Sequence, residues 1–404
     1  MSAIVDLLLG IVTSIGGFVE VGSISTSAQA GSEFHFQLLW AIGVAAVMLA
    51  MLTEMSGRLA AVSRRSLVSA VRERFGIHFQ LVPLVAELII DTLLIAAEVG
   101  GVAIALRLLS GVGFMWWILP AGLIACLVLW VCGFSLIEDG IGVLGLVTLS
   151  FVVAAWKLGP DLGAVAHGFV PSLASHDRTR YAFLAVSIMG ATVSPYLLNF
   201  YSSGTIEEKL TEKHLWVNTT TGYFGTAFGS LVSMGVLVTS AMVLGPRHIL
   251  VDSYEQAALM FVPPFGRWGV GLFAAALGIG CFGAAVEIAL NAGYAMAQTF
   301  GWSWGANKPR RDAARFTFAF TGVLAAALLL AIIGFDPLRL TMISVALTVV
   351  AMPAVVLPFL VLMNDETFVK DHKNGPLGNG FLAAVTILAA LLALLVVPLE
   401  IFGS

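Results

Sequence analysis

Charge is what this sequence has least of. Only 11% of its 404 residues are Asp, Glu, Lys or Arg, while 59% are hydrophobic and the mean hydropathy is +0.97. A soluble domain carries about 25% charged residues. The balance excludes a water-soluble globular protein and leaves a polytopic membrane protein. Cysteine is scarce too. Cys126, Cys132 and Cys281 all fall inside apolar spans, which excludes a disulfide framework and any Cys-x-x-Cys site. There is no His-Glu-x-x-His, phosphate-binding loop or nucleophile elbow, and the seven histidines are scattered, mostly toward loops. An enzyme is therefore not expected, and no cofactor is implied. No basic stretch reads as a nucleic-acid patch, and no protein partner is implied. The cluster Arg64, Arg65, Arg72, Glu73 and Arg74 reads as a cytoplasmic topology anchor. No basic n-region precedes the first apolar stretch, so it is expected to stay as the first span.

Apolar stretches of about 20 residues, the length a bilayer demands, recur eleven times. They are predicted near 5–28, 38–62, 80–106, 114–134, 139–157, 182–203, 221–244, 267–297, 315–334, 339–363 and 380–402. The ninth and tenth are divided at Gly334-Phe335-Asp336-Pro337. Thirteen Lys and Arg fall on one set of loops and seven on the other. The positive-inside rule then sets the N-terminus in the cytoplasm and, with an odd number of spans, the C-terminus outside. Short surface helices are expected in the long outer connections 158–181 and 245–266. The short loops suit a bacterial inner membrane. Gly225-x-x-x-Gly229 fits close helix packing.

Lysine and arginine are missing at membrane depth, where acids are not. Glu20, Glu54, Glu87, Asp91, Glu98 and Glu287 lie inside the spans, and the basic residues nearest them, Arg58 and Arg107, are close to span ends. A carboxylate at mid-membrane costs roughly 2.5–3.5 kcal/mol on insertion scales and marks a functional site by default. Buried acids without basic partners need a cation or a proton. That argues for a cation pathway. Glu87, Asp91 and Glu98 share one helical face. The stripe reads as a relay or vestibule, with Glu87 alternatively solvated near the interface and Asp91 bonded to a neighbouring helix. Glu54 reads as a cytoplasmic-end salt bridge with Arg58. Glu287 is not placed by the sequence.

Two spans are interrupted. In the first, Glu20 is followed by Gly22 and the hydroxyls of Ser23, Ser25, Thr26 and Ser27, where a helix could open and free carbonyls. In the sixth, Pro195 removes a donor and disfavours helix at Ser194, so carbonyls near Ala191 and Thr192 lose intrahelical partners. Irregular backbone at this depth is tolerated only when buried or lining a cavity. Paired interruptions in two halves of a chain point to a transporter's binding site.

These residues resemble a known family. Ser56-x-Arg58-Leu59-x-x-Val62 with Arg72-Glu73-Arg74-Phe75 looks like the second span and following loop of the NRAMP divalent-metal transporters. Ala97-Glu98-Val99-Gly100 with Ala103-x-Ala105-Leu106-x-Leu108-Leu109-x-Gly111 is similar to the third span. Gly190-Ala191-Thr192-Val193 with Pro195 matches the sixth, and Pro353 followed by Pro358 the tenth. The resemblance implies an all-α LeuT-like fold of one membrane domain over 1–404, with helices 1 and 6 interrupted. Inverted five-helix repeats would span 5–157 and 182–363, with a further helix at 380–402.

The site departs from that family. The usual Asp-Pro-Gly-Asn is Glu20-Val21-Gly22-Ser23 here, and Met-Pro-His is Ser194-Pro195-Tyr196. A later histidine is Tyr201, and an aspartate of the third span is Ile95. Thioethers suit softer metals. Their loss leaves oxygens: the Glu20 carboxylate, the Ser23 and Ser194 hydroxyls and the Ala191 carbonyl, with Gly22, Thr192, Tyr196 and Asn199 lining the cavity. Such a set suits hard cations, Mg²⁺ first and Mn²⁺ second. It resembles the NRAMP-related magnesium transporters, and the missing histidines and acid argue against proton coupling. The rival readings are a proton- or sodium-coupled symporter of a small organic solute, a proton-coupled Mn²⁺ or Fe²⁺ transporter, a trivalent-cation carrier, and a sensor without transport.

Overall fold

The structure is a computed structural model that describes residues 20–172 and 176–403. Residues 5–19 of the first predicted span, including Gly17-Phe18-Val19, lie outside the described residues. The described chain is helical throughout. From the N-terminus run α1 (Val21–Phe34), α2 (Leu39–Ser63), the short α3 (Leu67–Phe75), α4 (Ile77–Ser110) and α5 (Met115–Val131). Then come α6 (Phe134–Gly145), a 3₁₀ turn (Leu146–Leu149) and α7 (Ser150–Leu158), which together make one span. The short α8 (Leu162–Gly168) leads to α9 (Arg178–Thr192) and α10 (Pro195–Glu207), the two halves of the broken sixth span. Next are α11 (Leu215–Val243), the short α12 (Tyr254–Ala258) and α13 (Val262–Phe265), and the long α14 (Gly269–Phe300). α15 (Ala314–Ile332), α16 (Pro337–Leu362), the short α17 (Glu366–Val369) and α18 (Pro376–Gly403) complete the chain.

Among the described residues, nine helical segments are long and apolar enough to cross a membrane, and α5 is a shorter apolar helix. Three predicted boundaries move by five or six residues: the first span runs on to Phe34 rather than 28, and the fifth and seventh begin earlier. The seventh span starts at Leu215 rather than 221, because Thr219 and Thr220 turn their hydroxyls onto their own i−4 carbonyls and so continue the helix in an apolar setting. The fifth span starts at Phe134 rather than 139, since the acidic pair Glu138 and Asp139 is carried within the helix instead of ending it. The division between the ninth and tenth spans holds. Gly334 takes φ +91°, Asp336 accepts from Leu338 N–H at 3.0 Å, and Pro337 opens α16. The long connections carry α8, α12 and α13, as expected.

Small residues and inward hydroxyls set the helix packing. α4 lies along α14 in the most extensive pairing of the bundle. Gly31 lets α1 meet α11, where a Cβ would overlap the Leu237 carbonyl. Ser240 donates to the Ala28 carbonyl at 2.6 Å beside it. Ser56 of α2 donates to the Leu198 carbonyl of α10 at 2.7 Å, and Asn218 Nδ2 to the Glu54 carbonyl at 2.9 Å. With no water in the hydrocarbon core, such bonds between helices fix register where apolar packing alone does not.

The basic cluster after α2 ties helices together. Arg72 donates to the Gln298 and Thr299 carbonyls at the end of α14, where the helix dipole favours a cation. Arg65 pairs with Glu73, and Arg74 with Asp365. Glu54 pairs with Arg58 at 3.1 Å, as its position suggested. Arg58 also donates to the His372 carbonyl and the Asn374 side chain, each at 2.7 Å, joining α2 to the segment before α18. Nearby, His372 and Lys370 hold the exposed Glu212 carboxyl below the usual carboxylate range.

Candidate cation site

Glu20 stands at the break. Its backbone is extended (φ −103°, ψ 167°), and α1 begins at the next residue. Gly22 and the hydroxyls after it therefore lie within α1 and are not themselves an opening. Those hydroxyls are used locally: Ser25 and Thr26 both donate to the Gly22 carbonyl, at 3.1 and 2.8 Å. The first helical bond runs from Ile24 N–H to the Glu20 carbonyl.

Glu98 completes the helix start. Its Oε1 accepts the Val21 N–H at 2.9 Å, from 77 residues along the chain. An N-terminal turn has N–H groups without intrahelical acceptors, and a carboxylate there also meets the positive end of the helix dipole. Glu98 is thus a remote cap for the broken first helix, fully buried.

The other half of the site comes from the break between α9 and α10. Val193 closes α9 by donating to the Met189 carbonyl. The Ala191 carbonyl would find its i+4 donor at position 195, where proline has no N–H. Ser194 is extended (φ −96°, ψ 139°), and its buried hydroxyl makes no hydrogen bond among the described residues. Tyr196, on the first turn of α10, donates from its hydroxyl to Glu20 Oε2 at 2.9 Å. Gly22 brings the two breaks together. A Cβ placed there would lie 3.3 Å from Glu20 Oε1 and 3.4 Å from the Ala191 Cβ. Glu20, Ser23, Ser194 and Tyr196 are 2%, 5%, 2% and 1% exposed, so all four are buried.

The remaining predicted residues divide. Thr192 turns its hydroxyl onto the Ile188 carbonyl at 2.8 Å. Glu87 is not solvated near the interface; it is 3% exposed and takes two bonds from Asn199. Asp91 is fully buried and bonded to Asn291 of α14, a neighbouring helix, at 3.2 Å. Asn199, which brings α10 to this cluster, lies more than a turn beyond Ser194, and none of the hydrogen bonds that hold the cluster together reaches Glu20. Glu287, on α14, is buried. Sequence reasoning did not find Asn291 as the hub of the lower cluster. A polar amide one turn after Glu287 was the available signal.

The donors around Glu20 are oxygens. Among the described residues no three His, Cys, Asp or Glu side chains converge as in a transition-metal centre. A cavity of about 510 Å³, lined by Leu106, Val128, Leu136, Ile141 and other apolar side chains, lies between α4, α5, α6 and α14, and none of the carboxylates lines it.

The chain is similar to known transporters. The "Divalent metal cation transporter MntH" of Deinococcus radiodurans is 27% identical over 64% of this chain and 61% of its own length. The protein of that name from Listeria welshimeri is 35% identical over 46% and 42%. The chain thus aligns with about two fifths to three fifths of these relatives. Among solved structures, the Eremococcus coleocola manganese transporter superposes with a TM-score of 0.76 at 18% identity, covering all of this chain and 87% of that one. Mhp1, a nucleobase-cation-symport-1 family transporter, superposes with a TM-score of 0.62 at 15% identity, covering 97% and 90%. The fold is LeuT-like, as these likenesses show. Residues 10–398 match the family described as natural resistance-associated macrophage protein-like, and the chain belongs to that family.

Proposed function

We propose that this protein carries hard divalent cations across the membrane by alternating access, Mg²⁺ ahead of Mn²⁺, without coupled proton movement. The observation that carries the reading is the all-oxygen donor set at the facing breaks. Glu20 supplies the charge, Ser194 a buried hydroxyl with no hydrogen-bond partner among the described residues, and Ala191 a carbonyl whose helical donor is a proline, with the buried Ser23 beside Gly22 as the further hydroxyl of the reading. The position that carries a thioether in the resembled family is Ser194 here, and no three His, Cys, Asp or Glu side chains converge among the described residues. Mg²⁺ takes oxygen ligands and keeps several waters, and serine in place of a larger side chain at 194 leaves room for them.

Membership of the family and the names of the curated relatives support a divalent metal as cargo. Mg²⁺ preference rests on the donor chemistry alone. A membrane potential of 100 mV supplies about 2.3 kcal/mol per charge, or about twice that for a divalent ion. That is enough to drive uptake as a uniporter. The repeats over 5–157 and 182–363 would rock around the Glu20 site, with the N-terminus cytoplasmic and the C-terminus outside in a bacterial inner membrane. Tyr196 holds the carboxylate in position for the ion.

The test is Mg²⁺ uptake by cells or vesicles containing Glu20→Ala. The account expects uptake to fall to background while the protein remains folded in the membrane. Unchanged uptake in that variant would sink the assignment of Glu20.

A further inference from the structure

Below the Glu20 site lies a polar cluster that uniport through one site leaves without a role. Glu87 and Asp91 project from one face of α4, Asn199 from α10 and Asn291 from α14. They are 3%, 0%, 5% and 0% exposed. Neither carboxylate has a lysine or arginine partner among the described residues. Asn199 Nδ2 donates to both Glu87 oxygens, at 2.7 and 2.9 Å. Asn291 Nδ2 bridges the two acids, at 2.8 Å from Glu87 Oε1 and 3.2 Å from Asp91 Oδ2.

An amide nitrogen between two carboxylates marks a point where positive charge is required and only a partial charge is supplied. The accounting is also incomplete. Asp91 Oδ1 and Asn291 Oδ1 are buried and have no hydrogen-bond partner among the described residues. Two acceptors facing a dry interior without donors are rare in native proteins and ask for an ion or a water. Turning the Asn291 amide about its last torsion would exchange its nitrogen for its oxygen at the bridging point. Such orientations are fixed by the surrounding bonds and change with them. The two carboxylates and the turned Asn291 amide then offer five oxygens, of which an octahedral Mg²⁺ would use some and fill its remaining positions with water. A cavity of about 20 Å³, lined by Glu87 and Asn199 with Leu67, Val71 and Gln80, reaches the cluster from the side of α3. It has room for about one water.

We infer that Glu87, Asp91, Asn199 and Asn291 form a second binding site for a hard divalent cation, separate from Glu20 and occupied by the ion on its way between Glu20 and the α3 side. The inference rests on the reading of the protein as a hard-cation transporter. Asn199 ties the two sites together mechanically, since it lies on α10, the same half-helix that presents Tyr196 to Glu20.

The test counts bound Mn²⁺, used alone as a paramagnetic probe, on the full-length protein in detergent by equilibrium dialysis with spectroscopic detection. Two ions per chain are expected for the unaltered protein, one for Glu20→Gln, one for Asp91→Asn and none for the double variant. Mg²⁺ should displace both ions. Asn291→Asp keeps the oxygens and adds a charge, so it should tighten the ion that survives in Glu20→Gln by at least about threefold. A single ion in the unaltered protein that Glu20→Gln removes would overturn the second site and leave the transport reading intact. Two ions retained in Asp91→Asn, or unchanged affinity in Asn291→Asp, would overturn it as well. No bound ion in the unaltered protein would overturn both.

Discussion

The Tyr196 hydroxyl donates to Glu20 Oε2 at 2.9 Å, linking the first turn of α10 to the residue that opens α1. The two broken helices thus meet through one hydrogen bond between a phenol and an acid. A bond to a charged group is worth about 1.5–3 kcal/mol. Tyr196→Phe removes it without changing the ring. The expected result is a KM for Mg²⁺ raised by roughly tenfold with kcat little altered, measured as initial uptake in vesicles. An unchanged KM would mean that Glu20 is positioned by other groups.

Ser194 decides which metals fit. Ser194→Met restores a soft thioether between Ala191 and Tyr196 and fills space otherwise open to water. The variant should lose most Mg²⁺ uptake and gain uptake of Cd²⁺, a soft competitor, in a parallel flux assay. Equal Mg²⁺ transport in the two forms would mean that position 194 does not contact the ion.

Glu98 caps a helix. Glu98→Gln keeps an oxygen for the Val21 N–H and loses only the attraction of charge to the helix end, about 0.3–1 kcal/mol. Glu98→Ala leaves that N–H buried without an acceptor, which costs about 1–3 kcal/mol. Thermal unfolding in detergent should show the alanine variant clearly less stable than the glutamine variant. Equal stability with uptake abolished in both would place Glu98 in the ion path instead.

Arg58 joins α2 to the segment before α18. It pairs with Glu54 and donates to the His372 carbonyl and to Asn374. Both charged side chains are less than a fifth exposed, so the pair is shielded more than a surface salt bridge. Arg58→Ala frees the segment before α18 and should speed labelling of a cysteine placed at Asn199 in a background lacking the native three. Labelling at the rate of the parent would show that the clasp does not gate that end.

Much of the fold was legible because bilayer length and hydropathy are properties of short windows. The break in the sixth span was legible for the same reason: Pro195 inside a span is a local anomaly. What joins distant segments was not. Nothing near Glu98 says that it caps Val21, and nothing near Asp91 names Asn291, 200 residues later, as its partner. Thr192 could be placed beside the break, but its choice of the Ile188 carbonyl depends on a rotamer that sequence does not fix. The hydroxyls after Glu20 suggested an opening; in the helical context they fold back on Gly22 and stabilise the turn instead.

The most direct measurement is uptake into proteoliposomes at fixed membrane potential, with Mg²⁺ and Mn²⁺ compared and an internal pH indicator present. The account predicts that Mg²⁺ enters, that Mn²⁺ enters more weakly, and that luminal pH does not move with either. Entry of Mn²⁺ that excludes Mg²⁺ and acidifies the lumen would contradict it.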